Sequence, residues 1–338
     1  MAKTLHFRAE AMRRFSRHDP HPRNVRELAI AVPVVDGRRP TRRHCMTEKN
    51  IVFLRRFGST AVLWTVALWT IFSGWEPGFF VLLTTLGLVG LWEYYTMLDH
   101  KRLPNFKILG MICGAIMSVG SFWQFSHYGV AQAKDFEVAT LLGCLLVVFA
   151  RQMFQKTRDL SPLETMAFTV FGLFYVPWLF LFVTKIVYLL PRDLDRNVTG
   201  HLYVLWLLVV TKFSDMGAYL TGSVIGKHPL VPHISPKKTW EGFFGALVFS
   251  TAGACGLLAL MPEKLSCLRQ MDAVILGLGL GFAAVIGDLA ESIVKRSAGV
   301  KDSGQLLPGI GGALDLIDSI LFTAPLLFFY LRFVAGLP

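Results

Sequence analysis

Nine apolar segments make up most of this chain after residue 58, and they limit its fold more than any other feature. They fall at about 59–73, 78–97, 106–123, 138–150, 165–190, 201–221, 243–261, 273–290 and 317–334. A bilayer core about 30 Å thick is crossed by roughly 20 apolar residues in a helix. Hydrophobic residues make up 53% of the 338 and charged residues only 17%. The sequence therefore predicts an all-α polytopic membrane protein with about nine transmembrane helices.

The first 58 residues differ from the rest, with 14 Lys and Arg against 5 Asp and Glu. A basic segment beside a membrane is attracted to anionic lipid headgroups. This segment contains no recognisable motif for nucleic-acid binding, and it has no apolar core of signal-peptide length near its start. We expect residues 1–58 to form a flexible cytoplasmic segment, and part of residues 1–45 to be dispensable.

Loop charge predicts the orientation of the bundle. With the N-terminus in the cytoplasm, loops 98–107, 151–163, 222–241 and 291–316 are cytoplasmic and hold 12 Lys and Arg, against 6 on the opposite side when Lys185, near the end of the fifth segment, is counted with the loops there. Cytoplasmic loops collect such residues, so the N-terminus is predicted to be cytoplasmic (in the inner membrane, if the source is a bacterium). We expect residues 59–190 to form an N-terminal set of transmembrane helices and 191–338 a catalytic region.

Four aspartates near span ends fall on that same side: Asp215, Asp288, Asp315 and Asp318. Carboxylates inside a membrane are costly and indicate function by default. Individually, each could instead be an interfacial residue that reaches water.

The stretch GDLAESIVKRSAGVKD combines acidic and basic residues. Asp288, Ser292 and Lys295 are spaced i, i+4, i+7 and share a helix face. Arg296, Lys301 and Asp302 follow. Cationic side chains beside carboxylates suit a polyphosphate bound together with a divalent metal ion.

The next stretch, LLPGIGGALDLIDS, places a glycine-rich turn before a helix start. Gly311 and Gly312 permit close approach of the backbone to a ligand, and Asp315 and Asp318 share one face of the first helical turns. Together they indicate a cradle for a magnesium–nucleotide complex, although one aspartate could simply cap the helix. The sequence lacks the GxxxxGK[ST] pattern of a P-loop.

A third polar stretch, 214–242, lies between the sixth and seventh segments. Clustered Ser, Thr and Lys residues suggest phosphate contacts, whereas an ordinary positive loop would explain the lysines alone. The candidate substrate-binding residues of this stretch are Asp215, Ser235, Lys237, Lys238, Thr239 and Glu241. His228 and His233 are interpreted as loop residues.

These residues resemble the phosphatidate cytidylyltransferase (CDP-diacylglycerol synthase) family. The family pattern S-x-x-K-R-x4-K-D, followed by P-G-H-G-G-x-x-D-R-x-D, corresponds to residues 292–318, and the upstream blocks D-x-x-A-Y-x-x-G and ISPKKTWEG correspond to 215–222 and 234–242. The resemblance is close over about 205–320. Two positions depart from it: Ile310 stands where the family usually has His, and Leu316 where it usually has Arg.

The resemblance implies transfer of the cytidylyl group of CTP to phosphatidate, with Mg²⁺ and also K⁺ as cofactors. It implies Asp288 and Asp315 as metal ligands, and Ser292 and Lys295 as contacts to metal or phosphate. Arg296, Lys301, Lys237 and Lys238 would hold the triphosphate or the lipid headgroup. Asp302 and Asp318 would organise the loop, with Asp215, Glu241 and the glycines 311 and 312 in support.

Other interpretations stay open at this point. A CTP-dependent lipid or polyprenol kinase would use similar residues, and an anion transporter would place its site nearer the membrane midplane. The glycine-rich run LGLGLGFAAVIG could pack within one chain or in a homodimer. Five scattered cysteines without a CxxC pair predict neither a zinc site nor a disulfide framework.

Overall fold

The computed structural model of the protein describes residues 58–59, 61–155, 161–190, 199–304 and 311–337. The basic N-terminal segment predicted at 1–58 lies almost wholly outside the described residues, and so does Ile310. The described helices are α1 (Ala61–Ser73), α2 (Glu76–His100), α3 (Lys107–Gln132), α4 (Lys134–Met153), α5 (Pro162–Leu173), α6 (Leu179–Leu189), α7 (Gly200–Ile225), α8 (Trp240–Leu260), α9 (Gln270–Ser297) and α10 (Ala313–Phe333).

Within the described ranges, eight helical segments are long and apolar enough to cross a membrane, counting α5 and α6 as one. α1 is apolar but shorter. The prediction of an all-α polytopic protein is confirmed, and the chain is an integral membrane protein. The cytoplasmic location of the N-terminus stays a prediction.

The long fifth segment is a single span with a wide turn inside it. A π-helical turn, Phe174–Trp178, joins α5 to α6 and contains Pro177. Proline has no N–H for the helical ladder, and a local π turn accommodates that gap. At its start, Ser161 caps α5 by accepting a hydrogen bond from the Glu164 amide at 3.4 Å.

The polar stretch after α7 folds into a β-hairpin, which the sequence analysis did not predict. Strands β1 (Pro229–Val231) and β2 (Ser235–Thr239) pair antiparallel, with Val231 opposite Ser235. Thr239 then caps α8, because its Oγ1 accepts from the Gly242 amide at 3.1 Å. The hairpin thus holds the ends of α7 and α8 together.

α9 continues seven residues past the predicted apolar segment, so the loop predicted at 291–316 begins inside a helix. An i, i+4 pair between Glu291 and Lys295 supports this extension. The helix ends at Ser297, and Gly299 follows with φ of 73°, a conformation that favours glycine.

α10 lies at the centre of the C-terminal half and packs against α2, α6, α7 and α9. Leu314, Leu321 and Leu327 of this helix face the core and have no exposed surface. α7, α8 and α9 also pack side by side, and the Trp206 indole N–H donates to the Ala254 carbonyl at 3.1 Å. The end of α9, the start of α10 and the hairpin consequently meet on one side of the bundle.

Candidate active site

A polar cavity of about 620 Å³ opens where these elements meet. It is lined by the second half of α7, the hairpin, the start of α8, the end of α9 and the start of α10. Its charged lining residues are Asp215, Lys237, Lys238, Asp288, Glu291, Lys295, Asp315 and Asp318. Five carboxylates and three lysines therefore share one cavity of the bundle.

Close packing of α9 on α10 brings the acidic residues together. At Gly287, an added Cβ would lie 2.6 Å from the Asp318 carbonyl oxygen, so only glycine fits this crossing. The next residue, Asp288, is then held beside α10. One carboxylate oxygen each from Asp288, Glu291 and Asp318 lie within 4.8 Å of one another. We call these three residues the acidic trio.

The acidic trio fits a divalent cation. Glu291 is 1% exposed and Asp318 is 6% exposed. Within the described part of the chain, Glu291 Oε1 has no hydrogen-bond partner. Carboxylate oxygens are the ligands that Mg²⁺ prefers, and a bound cation would satisfy an oxygen that is otherwise buried without a partner.

Lys295 links the trio to the start of α10. Its ammonium contacts Glu291 Oε2 at 2.5 Å and Asp315 Oδ1 at 2.8 Å. The other Asp315 oxygen, Oδ2, accepts from the Gly312 amide at 2.9 Å. Asp315, predicted as a metal ligand with Asp288, thus lines the cavity outside the acidic trio and is held by Lys295 and by backbone.

The hairpin reaches the trio through Lys238, whose ammonium lies 2.7 Å from Asp288 Oδ2. Lys237, Ser235 and Thr239 also line the cavity. This arrangement supplies cations and hydroxyls opposite the carboxylates, as a bound polyphosphate requires.

A second chain of contacts runs from α7 to α10. Lys212, which the sequence analysis passed over, contacts Asp215 Oδ2 at 3.0 Å. Asp215 Oδ1 accepts from the Ser319 hydroxyl at 3.4 Å, and the Ser319 amide donates to Asp318 Oδ1 at 2.5 Å. Asp215 is therefore connected to the trio through one serine.

Several predicted residues are not part of the cavity wall as described. Glu241 contacts His228 Nδ1 at 2.6 Å and so stabilises the hairpin. Gly311 adopts φ of 118°, and a Cβ on Gly312 would lie 2.6 Å from Glu93 Oε2; both glycines shape the turn before α10. The other predicted residues outside the lining are Ser292, Arg296, Lys301 and Asp302, of which the last three are exposed.

Two buried acids near the start of α10, Glu291 and Glu93, escaped the sequence analysis. Glu291 lies i+3 from Asp288, and that spacing was the available signal. Glu93 interrupts the apolar run of α2; it is 2% exposed, and its Oε2 accepts from the Leu314 amide at 2.9 Å. A lone acid in an apolar span was the signal there, and its role is to hold the first turn of α10.

Comparison with known proteins shows what this chain is similar to. The cytidylyltransferase family model matches residues 54–334. A Bacillus subtilis (strain 168) protein named phosphatidate cytidylyltransferase is 31% identical over 268 residues, covering 79% of this chain and 93% of that protein. A Mycobacterium leprae (strain TN) protein of the same name is 40% identical over 221 residues, covering 63% and 67%.

A protein of Escherichia coli (strain K12) named "Uncharacterized protein YnbB" is 39% identical over 166 residues. That match covers 49% of this chain and spans about half, 51%, of the Escherichia coli protein. The family match, in contrast, extends across all the described helices, from α1 to α10, and across the residues that line the polar cavity. The chain belongs to the cytidylyltransferase family.

Proposed function

We propose that this protein transfers the cytidylyl group of CTP to phosphatidate, giving CDP-diacylglycerol and pyrophosphate. The observation that carries the proposal is the polar cavity, in which the acidic trio faces Lys238 and Lys295 inside a membrane bundle. Family membership and two relatives named phosphatidate cytidylyltransferase support the same reaction.

The chemistry requires positioning more than proton transfer. A phosphate oxygen of phosphatidate attacks the α-phosphorus of CTP, the bond from that phosphorus to the bridging oxygen breaks, and pyrophosphate leaves. The attacking oxygen is already ionised near neutral pH, so no general base is needed. The barrier comes from bringing two anions together, which fixed cationic groups lower.

Each part of the cavity has a role in this reaction. Lys237 and Lys238, on the hairpin, would bind the triphosphate. Lys295 holds Asp315 and Glu291 in place and can also contact phosphate. Asp288, Glu291 and Asp318 would hold Mg²⁺, with K⁺ as a second cation. When bound, the metal ions neutralise charge on the phosphoryl oxygens.

We place the cavity on the cytoplasmic side, where CTP is available, because the loops on that side carry 12 Lys and Arg against 5 on the other. Phosphatidate would keep its acyl chains in the leaflet and present its headgroup to the same cavity.

The test uses purified protein in detergent with dioleoyl phosphatidate, Mg²⁺ and CTP labelled at either the α- or the γ-phosphate. We expect label in lipid from the α position only. Label from the γ position would instead indicate a lipid kinase, and no label from either would reject both. Lys238→Met should reduce the α-label rate by about tenfold or more, because it removes a charged contact worth roughly 1.5–3 kcal/mol. Exposed Lys264→Met is the matched control.

A further inference from the structure

A second, narrow cavity of about 90 Å³ lies beside the polar one, and we call it the apolar groove. Helices α1, α2, α6, α7 and α10 line it, and the lining residues that matter below are Ala67, Val204, Leu208, Lys212 and Leu316. Lys212 is the one charged residue of this lining. An ammonium at the end of a hydrocarbon surface requires explanation, since intramembrane charges are costly.

The groove and the polar cavity share one face of α7. Val204, Leu208 and Lys212 line the groove, whereas Asp215 and Tyr219 line the polar cavity. Their spacings are four, four, three and four residues, which keeps all five on one helical stripe. At 1.5 Å per residue, the apolar part from Val204 to Lys212 is about 12 Å long.

Lys212 stands where the two cavities meet. Its ammonium contacts Asp215 Oδ2 at 3.0 Å, and its side chain is 30% exposed. A lysine ammonium has three N–H donors, so the contact with Asp215 leaves capacity to bind a phosphate oxygen. Asp215 in turn leads through Ser319 to Asp318 of the acidic trio.

We propose that the apolar groove binds one acyl chain of the lipid substrate and that Lys212 binds its phosphate. This inference rests on the proposed function and assigns the lipid half of the site. The occupant must be an amphiphile, because the stripe on α7 begins with apolar side chains, continues with the Lys212 ammonium and ends with residues that line the polar cavity. Leu316 extends the hydrocarbon wall at the start of α10, whereas Asp315 and Asp318 line the polar cavity.

Filling the groove tests the acyl-chain half of the proposal. Ala67→Trp puts an indole into the groove, and Ala61→Trp, an exposed position on the same helix, is the matched control. We expect Ala67→Trp to lower kcat/KM for dioleoyl phosphatidate at least about tenfold, the range for losing two or more buried methylenes, while dihexanoyl phosphatidate stays within about twofold of wild type. An equal fall for both lipids, or no fall for either, would overturn the proposal.

Removing the ammonium tests the phosphate half. We expect Lys212→Met to raise KM for phosphatidate by about tenfold or more, in line with a charge-assisted hydrogen bond, with KM for CTP unchanged. Lys212→Arg should retain near-normal KM, and Leu316→Arg in the Lys212→Met background should restore part of the loss, since both residues line the groove. Equal changes in KM for CTP and phosphatidate would overturn the assignment.

A labelling experiment distinguishes an error in the proposed reaction from an error in the proposed lipid site. Phosphatidate carrying a photoreactive diazirine in one acyl chain should label α1 or α7 peptides that line the groove, and Ala67→Trp should reduce that labelling. Labelling elsewhere only would reject the groove, whether or not CDP-lipid forms. Labelling in the groove without CDP-lipid formation would reject the reaction and keep the lipid site.

Discussion

Glu291 and Asp318 are almost fully buried carboxylates, and Asp288 lies beside them half-buried. Two unit charges at about 4 Å repel by roughly 4 kcal/mol at an effective dielectric constant of 20. Lys238 and Lys295 each contact one member of this trio. The lysines offset part of the repulsion, and a divalent cation would offset the remainder while leaving the cavity accessible to phosphate.

This arrangement makes a prediction about metal affinity. Asp318→Asn removes one of three carboxylates from the acidic trio, so we expect Mn²⁺, used in place of Mg²⁺, to bind at least roughly tenfold more weakly. Titration calorimetry or Mn²⁺ resonance spectra on the detergent-purified protein would measure the change without relying on turnover.

Asp135→Asn, at an exposed carboxylate on α4, is the control and should leave Mn²⁺ affinity unchanged. Asp315→Asn gives the sharper comparison, since its carboxylate is bound by Lys295 and Gly312. If Asp315→Asn weakened Mn²⁺ binding and Asp318→Asn did not, the pair predicted from the sequence resemblance would be the ligands and the acidic trio would not.

Individual site residues could be predicted from the sequence where acidic or basic side chains recur at helical spacing near the end of a span. Asp215, Asp288, Asp315 and Asp318 all line one cavity, as grouping them by membrane side anticipated. Glu93 could not be assigned that way, because it reaches the start of α10 from α2, and the contact between these two helices is set by packing alone. Lys212 lies three residues before Asp215 on α7, and that spacing was the available signal for it. Leu316, which departs from the family pattern, lines the apolar groove.

At the scale of elements, the crossing of α9 on α10 determines the site. Gly287 lets the helices approach until Asp288 and Asp318 belong to one cluster. The length of α9 matters equally, because its last turns, beyond the apolar segment, present Glu291 and Lys295 to the cavity. Hydropathy predicted where α9 crosses the membrane but not where it ends, since charged residues form i, i+4 pairs that prolong a helix.

Gly287→Ala should therefore destabilise the protein by about 1–3 kcal/mol, because the added Cβ would meet backbone atoms of α10. Turnover should fall as well, since the acidic trio would open. Thermal unfolding in detergent and CDP-lipid formation give the two measurements.

Gly279→Ala on the same helix is the matched control. Its added Cβ would lie 3.5 Å from Leu326 Cδ2, an ordinary contact, and alanine in place of glycine favours a helix by roughly 0.5–1 kcal/mol. We expect a neutral or raised melting temperature for Gly279→Ala. A similar melting temperature in both variants would show that the α9–α10 crossing tolerates a larger separation.

At the scale of the whole molecule, the site is assembled from helix ends that share one side of the bundle. The hairpin between α7 and α8 lies on that side, whereas residues 261–269, between α8 and α9, lie opposite. Because successive long apolar helices cross the membrane in opposite directions, the sequence predicts which loops lie on the same side. Which of the two sides faces the cytoplasm is predicted from loop charge alone. Some of the Lys and Arg residues in that count lie outside the described ranges.

The orientation itself can be measured with single cysteines in a variant whose five natural cysteines are replaced. His233 at the hairpin turn and Glu263 between α8 and α9 are both exposed. If the polar cavity faces the cytoplasm, His233→Cys should react with a membrane-impermeant maleimide only in inverted vesicles, and Glu263→Cys only in right-side-out cells. The reverse pattern would place the cavity away from cytosolic CTP, and the loop-charge argument would then be wrong for this chain even if the chemistry of the cavity held.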